Sequence, residues 1–73
     1  MSSYRIKTSI RLLRFQNNEM TQQELADKVK CTRQTIAALE QGQYSPSLIL
    51  AHRIAMVFGK SIEKVFKIND VVK

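Results

Sequence analysis

Arg33 and Gln34 are the side chains of this sequence best suited to recognising a polar ligand by geometry. They directly follow Thr32, a residue type that begins helices by accepting a hydrogen bond from a first-turn amide. A guanidinium can pair with guanine through two hydrogen bonds, and a carboxamide can pair with adenine in the same way. Ile36 and Leu39 follow at a spacing that places them on one face of the helix. The pattern predicts a helix docked by its apolar face, with residues that could read base edges at its start.

A second short helix precedes this one and would brace it. Thr21 and Glu24 have the spacing of a capping box, which predicts a helix over Gln22–Val29. The next helix is predicted over Arg33–Gln41, and Gly42 follows it where a left-handed residue is favoured. Only a three-residue connection separates the two helices. This is the helix-turn-helix arrangement, in which the first helix braces the second while the second projects from the body.

Three further helices are predicted around this pair. The first runs from about Thr8 to Asn17, with Thr8 as its N-cap. Ser47 begins a fourth helix that Gly59 ends, and Ser61 begins a short fifth one. The apolar positions expected to face the core in these helices are Ile10, Leu13, Leu48, Ala51, Ile54, Ala55, Phe58, Ile62, Val65 and Phe66.

The two ends of the chain have a different pattern. Residues 3–7 and 66–68 alternate apolar and polar side chains, and Val71 and Val72 are β-branched. Two short strands that pair the termini are therefore expected. The predicted fold class is all-α: a five-helix bundle, with these terminal strands as an addition.

The composition points to one basic domain. The 73 residues suffice for a single domain over 1–73, and 44% hydrophobic residues argue against a wholly disordered chain. Twelve Lys and Arg against six Asp and Glu give a formal net charge of +6. Such a surplus on a small body indicates a polyanionic partner, with nucleic acid first and an anionic membrane second.

The residue types that hold metals, cross-link chains or enter membranes are scarce. Cys31 is the single cysteine and His52 the single histidine, so an internal disulfide is impossible and a four-ligand zinc site is not expected. The start of the chain has no apolar run of a signal peptide, and no stretch approaches the roughly 20 apolar residues of a membrane span. We expect a cytoplasmic protein without membrane contact, cofactor or small-molecule ligand.

The sequence lacks the motifs of common enzyme classes. The sequence has no Gly-rich phosphate loop, no His pair at helical spacing and no nucleophile turn. Its six carboxylates are scattered or assigned to caps and one ion pair, so no acid–base dyad is expected. The sequence therefore predicts a protein that is not an enzyme.

The spaced motifs together resemble one known family. Residues 10–66 are similar to the xenobiotic-response-element family of Cro and phage-repressor helix-turn-helix regulators, and to its compact dimeric form typified by the cytolysin repressor. The matching motifs are Thr21–Val29, Thr32–Ile36, Leu39–Gly42, Tyr44–Leu48 and Ile54–Ala55. The resemblance implies a five-helix fold of the lambda-repressor type, double-stranded DNA as partner, and a homodimer with terminal strands.

The resemblance also implies roles for individual residues. In isolation Arg33 and Gln34 would be ordinary solvated residues, but the family pattern implies base contact. The implied base-reading residues are Arg33, Gln34, Ala37 and Ala38. The implied DNA-phosphate contacts are Gln22, Thr32, Gln41, Gln43 and Tyr44. Arg14 and Glu40 match a structural ion pair between the first and third helices.

Some positions depart from the family pattern. Lys30 occupies the turn position where the family usually has Gly, and a positive φ there would cost about 1 kcal/mol. Leu12, Ile49 and Met56 stand where relatives are often polar, and we expect this surplus apolar surface and the termini to form a dimer interface. No specific contact is expected for the remaining residues of interest. Lys28, Lys30 and Arg53 are expected to be solvated charges that add to the overall positive potential. Cys31 is expected to fill space as a small apolar side chain, and His52 to be an exposed helix residue.

The expected function is a sequence-specific, double-stranded-DNA-binding transcriptional regulator that acts as a repressor. A two-fold dimer would place one recognition helix in the major groove of each half-site, about 34 Å apart, so the operator should be palindromic. The alternative from another class is an antitoxin-type interaction module that masks a partner toxin. A neighbouring toxin gene would distinguish the two. A basic membrane-surface helix is weakly supported, because no helix segregates apolar and basic faces.

Overall fold

A five-helix bundle closed by a small terminal sheet forms the fold. The computed structural model describes residues 4–43 and 45–70. The elements in chain order are β1 (Tyr4–Thr8), α1 (Ile10–Gln16), α2 (Gln22–Val29), α3 (Arg33–Glu40), α4 (Leu48–Phe58), α5 (Ile62–Val65) and β2 (Phe66–Asp70). The predicted bundle with terminal strands is confirmed.

The two strands pair antiparallel and join the ends of the bundle. Ile6 lies opposite Ile68 and Thr8 lies opposite Phe66. The Ser9 amide then donates to the Val65 carbonyl at 2.9 Å, which continues the pairing into the helices. The parts of the strand prediction that fall on Ser3, Val71 and Val72 lie outside the described residues.

The start of α1 differs from the prediction by two residues. Thr8 is the last residue of β1, and Ser9 is the N-cap, without a side-chain capping bond. Thr8 instead accepts a long bond, 3.5 Å, from the Ile10 amide. Strand pairing between Thr8 and Phe66 holds this segment extended, so the helix begins one residue after Ser9.

The other helix boundaries follow their capping residues. Thr21, Thr32, Ser47 and Ser61 each accept a hydrogen bond from a first-turn amide, as predicted. Gly59 ends α4 in the left-handed conformation. Helix α3 ends at Glu40, one residue earlier than predicted.

Side chains from every element fill the core. Ile10, Leu25, Ile36, Leu39 and Ile54 are essentially inaccessible to solvent. Leu13, Phe58 and Ile62 pack against the core but remain half-buried. Each helix buries one apolar face, so the bundle can close around residues from all of them.

Leu48 was predicted to face the core, and this prediction is wrong. Its side chain is 77% exposed. Its spacing places Leu48 on the inward face of α4 together with Ala51 and Ala55. The first turn of α4, however, lies at the edge of the core, beside β2. Ile68 of β2 is exposed at the same edge, so Leu48 contributes to an apolar surface there.

Candidate nucleic-acid interface

Helix α2 is built as a brace for α3. The Glu24 amide donates to Thr21 Oγ1 at 3.0 Å, and the Thr21 amide donates to Glu24 Oε1 at 2.8 Å, which completes the capping box. Leu25, Ala26 and Val29 are fully buried on its inner face. The small Ala26 side chain lets the partner helix approach closely, so α2 fixes the orientation of α3.

The turn between α2 and α3 depends on a left-handed residue. Lys30 has φ +63°, so the chain places a non-Gly residue in the left-handed conformation at the position where the family usually has Gly. The Cys31 amide then donates back to the Ala26 carbonyl at 3.0 Å. Burial raises the pKa of the half-buried Cys31 thiol above its ordinary value of 9.0. The thiol is therefore protonated at neutral pH and packs as a small side chain, as interpreted from the sequence.

Helix α3 docks by one face and exposes the other. Ile36 and Leu39 are buried, whereas Arg33 and Gln34 are exposed. The candidate stripe on the opposite face follows from about 100° of rotation per residue. This reading stripe consists of Arg33, Gln34, Ala37, Ala38 and Gln41, all within about 140° of one another around the helix axis.

Ala37 and Ala38 are less exposed to solvent than the first residues of the reading stripe. Both are half-buried. A methyl group at this depth offers shape and apolar contact, such as contact with a thymine methyl, rather than hydrogen bonds. Hydrogen-bonding reach along the stripe is therefore concentrated in Arg33, Gln34 and Gln41.

Thr32 is committed to capping α3. Its Oγ1 accepts from the Thr35 amide at 3.1 Å and shares a hydrogen bond with Thr35 Oγ1 at 2.9 Å. The first amides of a helix have no partner within the helix and favour an anion. What Thr32 offers a phosphate is thus mainly a well-formed helix start.

Arg14 and Glu40 form the predicted ion pair. Arg14 Nε donates to Glu40 Oε2 at 2.7 Å, and its Nη2 donates to Oε1 at 3.1 Å. Arg14 Nη1 also donates to the Met20 carbonyl at 2.7 Å. The two side chains are 13% and 9% exposed. The pair therefore joins α1, the loop before α2, and α3 in one bidentate arrangement.

Gln22 belongs to the same network. Its Nε2 donates to Glu40 Oε1 at 3.1 Å, so the side chain links the start of α2 to the end of α3. A carboxamide NH₂ group has two donors, and one of them remains for another acceptor. The network holds Gln22 in place beside the reading stripe.

The loop after α3 supplies the remaining predicted contacts. Gln41 and Gln43 are both exposed, and Gln43 Nε2 donates to Gln41 Oε1 at 2.8 Å. Gly42 between them has φ +70°, and a Cβ there would stand 2.8 Å from the Ile6 carbonyl oxygen. The loop therefore lies against β1 with no room for a side chain at position 42. Tyr44, predicted as a phosphate contact, lies outside the described residues.

Arg11 lies at this surface although the sequence analysis did not single it out. It lines a surface depression of about 330 Å³. The other lining residues are Arg14, Gln22, Ala37, Glu40 and Gln41. Arg11 precedes Arg14 by three residues, a spacing that places both on one side of α1. That spacing is the sequence feature that could have revealed it.

The described side chains, residues 6–43 and 45–68, contain no group of three or more His, Cys, Asp or Glu arranged to hold a metal ion. Within the same residues, no helix is long and apolar enough to cross a membrane.

Comparison with known proteins bears directly on this arrangement. A family model described as "Helix-turn-helix" matches residues 10–65. The chain belongs to the helix-turn-helix family of DNA-binding regulators of the Cro and phage-repressor type. The matched range begins at α1 and ends at α5, and thus contains the ion pair, the brace and the reading stripe.

Several archaeal proteins are similar over most of their length. An uncharacterized HTH-type transcriptional regulator of Methanothermobacter thermautotrophicus is 60% identical over 70% of this chain and 75% of its own. One from Archaeoglobus fulgidus is 49% identical over 89% of this chain and 90% of its own. One from Methanocaldococcus jannaschii is 45% identical over 89% of this chain and 97% of its own.

Proposed function

We propose that this helix-turn-helix protein is a sequence-specific transcriptional repressor that binds double-stranded DNA as a homodimer. The observation that carries the proposal is the reading stripe of α3, which stays free of the core while Ile36 and Leu39 dock the helix. A helix 10–12 Å wide fits the major groove of B-DNA, which is about 12 Å wide. Occupying that groove at a promoter would exclude polymerase, which is the simplest route to repression.

Within the stripe, Arg33 and Gln34 are proposed to read bases by hydrogen bonds, and Ala37 and Ala38 by apolar contact. Gln34 is exposed at the second position of α3 and makes no side-chain hydrogen bond within the described residues. Its carboxamide is therefore available for an adenine edge.

The proposed backbone contacts surround the stripe. Gln22 opens α2, where free amides favour a phosphate, and its second amide N–H remains available. Thr32 caps the start of α3, while Gln41, Gln43 and Tyr44 belong to the following segment. These contacts position the protein on the duplex and are independent of base sequence.

A homodimer is proposed because a substantial apolar surface remains uncovered on a domain of this size. The edge formed by Leu48 and Ile68 borders a groove of about 260 Å³, also lined by Ile6, Pro46 and Ile62. This surface joins the terminal strands to the start of α4. Phe66 is 8% exposed and belongs to the core, as expected from the sequence. The proposed dimer face is Leu48, Ile68 and the groove between them, rather than Leu12, Ile49 and Met56, which are also exposed but do not line this groove.

Selection of bound sites from a random duplex pool tests the proposal as a whole. The expected result is a palindromic consensus whose half-sites are centred about 34 Å apart, one turn of the double helix. Sedimentation should show a dimer at micromolar concentration. A pool without enrichment would reject sequence-specific binding, whereas a single unrepeated motif bound by a monomer would reject the dimer.

Two glutamine variants then test the division of labour. Gln34→Ala should weaken binding to the selected operator by about 1–3 kcal/mol with little effect on scrambled duplex, because only the operator offers its base partner. Gln22→Ala should weaken binding to both duplexes by similar factors, because phosphates are common to both. If Gln34→Ala lowers both affinities equally, or neither, α3 is not the reading element.

Arg33 needs a separate comparison because its charge can serve a base or a phosphate. Arg33→Ala and Arg33→Gln should be measured on operator and scrambled duplexes at two salt concentrations. A base contact predicts a loss confined to the operator, while a phosphate contact predicts a shallower salt dependence on both duplexes.

A further inference from the structure

The depression beside α3 carries one positive charge that the protein does not neutralise. Three charged side chains line it: Arg11, Arg14 and Glu40. Glu40 is bound by Arg14 through two hydrogen bonds and by Gln22 through a third, so Arg14 and Glu40 offset each other. Arg11 is exposed, and among the described side chains, residues 6–43 and 45–68, no carboxylate lies within 4.0 Å of its guanidinium. An anion entering the depression would meet a net charge of one guanidinium.

The position of the depression relative to α3 says which anion that would be. Ala37 and Gln41, one helical turn apart, belong both to the reading stripe and to the wall of the depression. A helix that fills the major groove has a sugar-phosphate backbone along each side. The depression therefore faces one of these backbones when the reading stripe faces the bases.

We propose that Arg11 is a DNA-phosphate ligand that contacts the backbone from α1, at the depression that it lines together with Gln41. The inference rests on the proposed function. The mutually neutralised charges of Arg14 and Glu40, together with Gln22, form the floor of the depression. Arg11 supplies the free guanidinium at its rim. A guanidinium can donate two parallel hydrogen bonds to phosphate oxygens, which suits this open geometry. The contact comes from outside the helix-turn-helix pair and adds affinity without sequence preference.

Salt dependence provides the first test, with a matched arginine as control. Arg53 lies exposed on α4, lines none of the depressions described above, and bears the same charge. Arg11→Gln should reduce the salt slope by about one phosphate contact, so the affinity ratio between 50 and 200 mM salt should shrink about 3.5-fold. Arg53→Gln should change it much less, and Arg11→Lys should preserve most of the slope. Equal effects of Arg11→Gln and Arg53→Gln would mean a general field and would overturn the contact.

Single methylphosphonate substitutions in the selected operator locate the contact. Wild-type protein should lose affinity when one particular phosphate in each half-site is neutralised. The Arg11→Gln variant should show no further loss of affinity when that same phosphate is neutralised, and it should respond like the wild type to neutralisation of the other phosphates. Thermal melting of Arg11→Gln should match the wild type, because the exposed side chain makes no hydrogen bond in the described residues. Should it melt early, Arg11→Met, which keeps the apolar stem without the charge, replaces it in the same phosphate scan, and neutralising the same phosphate should again cost no further affinity.

The outcomes separate this inference from the proposed function. Wild-type protein that binds operator while Arg11→Gln retains the full phosphate pattern overturns only the Arg11 contact. Wild-type protein that enriches no duplex rejects the proposed function, and the contact with it.

Discussion

Breaking the Arg14–Glu40 pair should be among the most destabilising single changes in this protein. Glu40→Ala removes both acceptors of Arg14 and the acceptor of Gln22, and leaves the guanidinium with only the Met20 carbonyl. The Arg14 side chain is 13% exposed, so water recovers little of the lost solvation. An unpaired buried charge costs about 3–5 kcal/mol, whereas an exposed pair is worth under about 1 kcal/mol.

The partial exposure places the expected cost near the lower end, about 3 kcal/mol. For a domain of this size, that free energy lowers the melting temperature by roughly 12–24 °C. Arg14→Met should cost at least as much, because both the Glu40 carboxylate and the Met20 carbonyl then lose a donor. The double variant Arg14→Met/Glu40→Leu removes the charge entirely and should cost less than the sum of the single changes.

Thermal and urea unfolding followed by far-ultraviolet circular dichroism measures these values. Protein concentration must be held constant, because dimerisation would couple it to stability. The coupling energy should persist at high salt, since screening affects exposed pairs far more than buried ones. Single variants that each cost under about 1 kcal/mol, or a double variant that costs their full sum, would refute the inference that this pair holds α1 against α3.

Three other predictions concern the turn, the thiol and the proposed dimer face. Gly42→Ala should destabilise the fold by at least about 1 kcal/mol more than Gly59→Ala in urea unfolding. Both glycines have positive φ, but only at Gly42 would a Cβ meet backbone atoms, at 2.8 Å from a carbonyl oxygen. Equal losses of unfolding free energy in the two variants would contradict the close packing of this loop against β1. Burial raises the pKa of the Cys31 thiol, so its contribution to stability is complete below the pKa of the unfolded state and is lost as the pH rises through the pKa of the folded state. Cys31→Ala should therefore flatten the decline of the free energy of unfolding at alkaline pH. An unchanged decline would contradict this role of the thiol. Leu48→Asp should shift sedimentation towards monomer. The fold should be kept, because an acidic side chain in the first turn of α4 interacts favourably with the helix dipole. Met56→Lys, near the other end of α4, should leave the dimer intact, and the reverse pattern would place the interface at Met56 instead of Leu48.

The local order of the fold follows from the sequence because its signals are local. Thr21 with Glu24, and Thr32 at the next cap, satisfy amides only one turn away, so they fix helix starts whatever packs around them. The Ile36–Leu39 spacing similarly fixes which side of α3 is buried, and with it the reading stripe. The placement of Arg33 and Gln34 on that exposed side is therefore determined by neighbouring residues alone.

Other features depend on residues far apart in the chain. Thr8 reads locally as a helix cap, but pairing with Phe66, at the other end of the protein, draws it into a strand. Leu48 has the right spacing for burial and is exposed because its turn extends to the edge of the bundle.

The charge balance beside α3 was likewise decided by tertiary structure. The sequence pairs Arg14 with Glu40 only through family resemblance, and gives no reason to separate Arg14 from Arg11. Folding brings Glu40 and Gln22 against Arg14 and leaves Arg11 at the rim, because a carboxylate can accept only from donors within reach of its two oxygens. Local capping and periodicity thus determined which face of α3 is exposed as the proposed reading stripe, whereas long-range packing determined which positive charge beside it is left without a carboxylate partner among the described side chains.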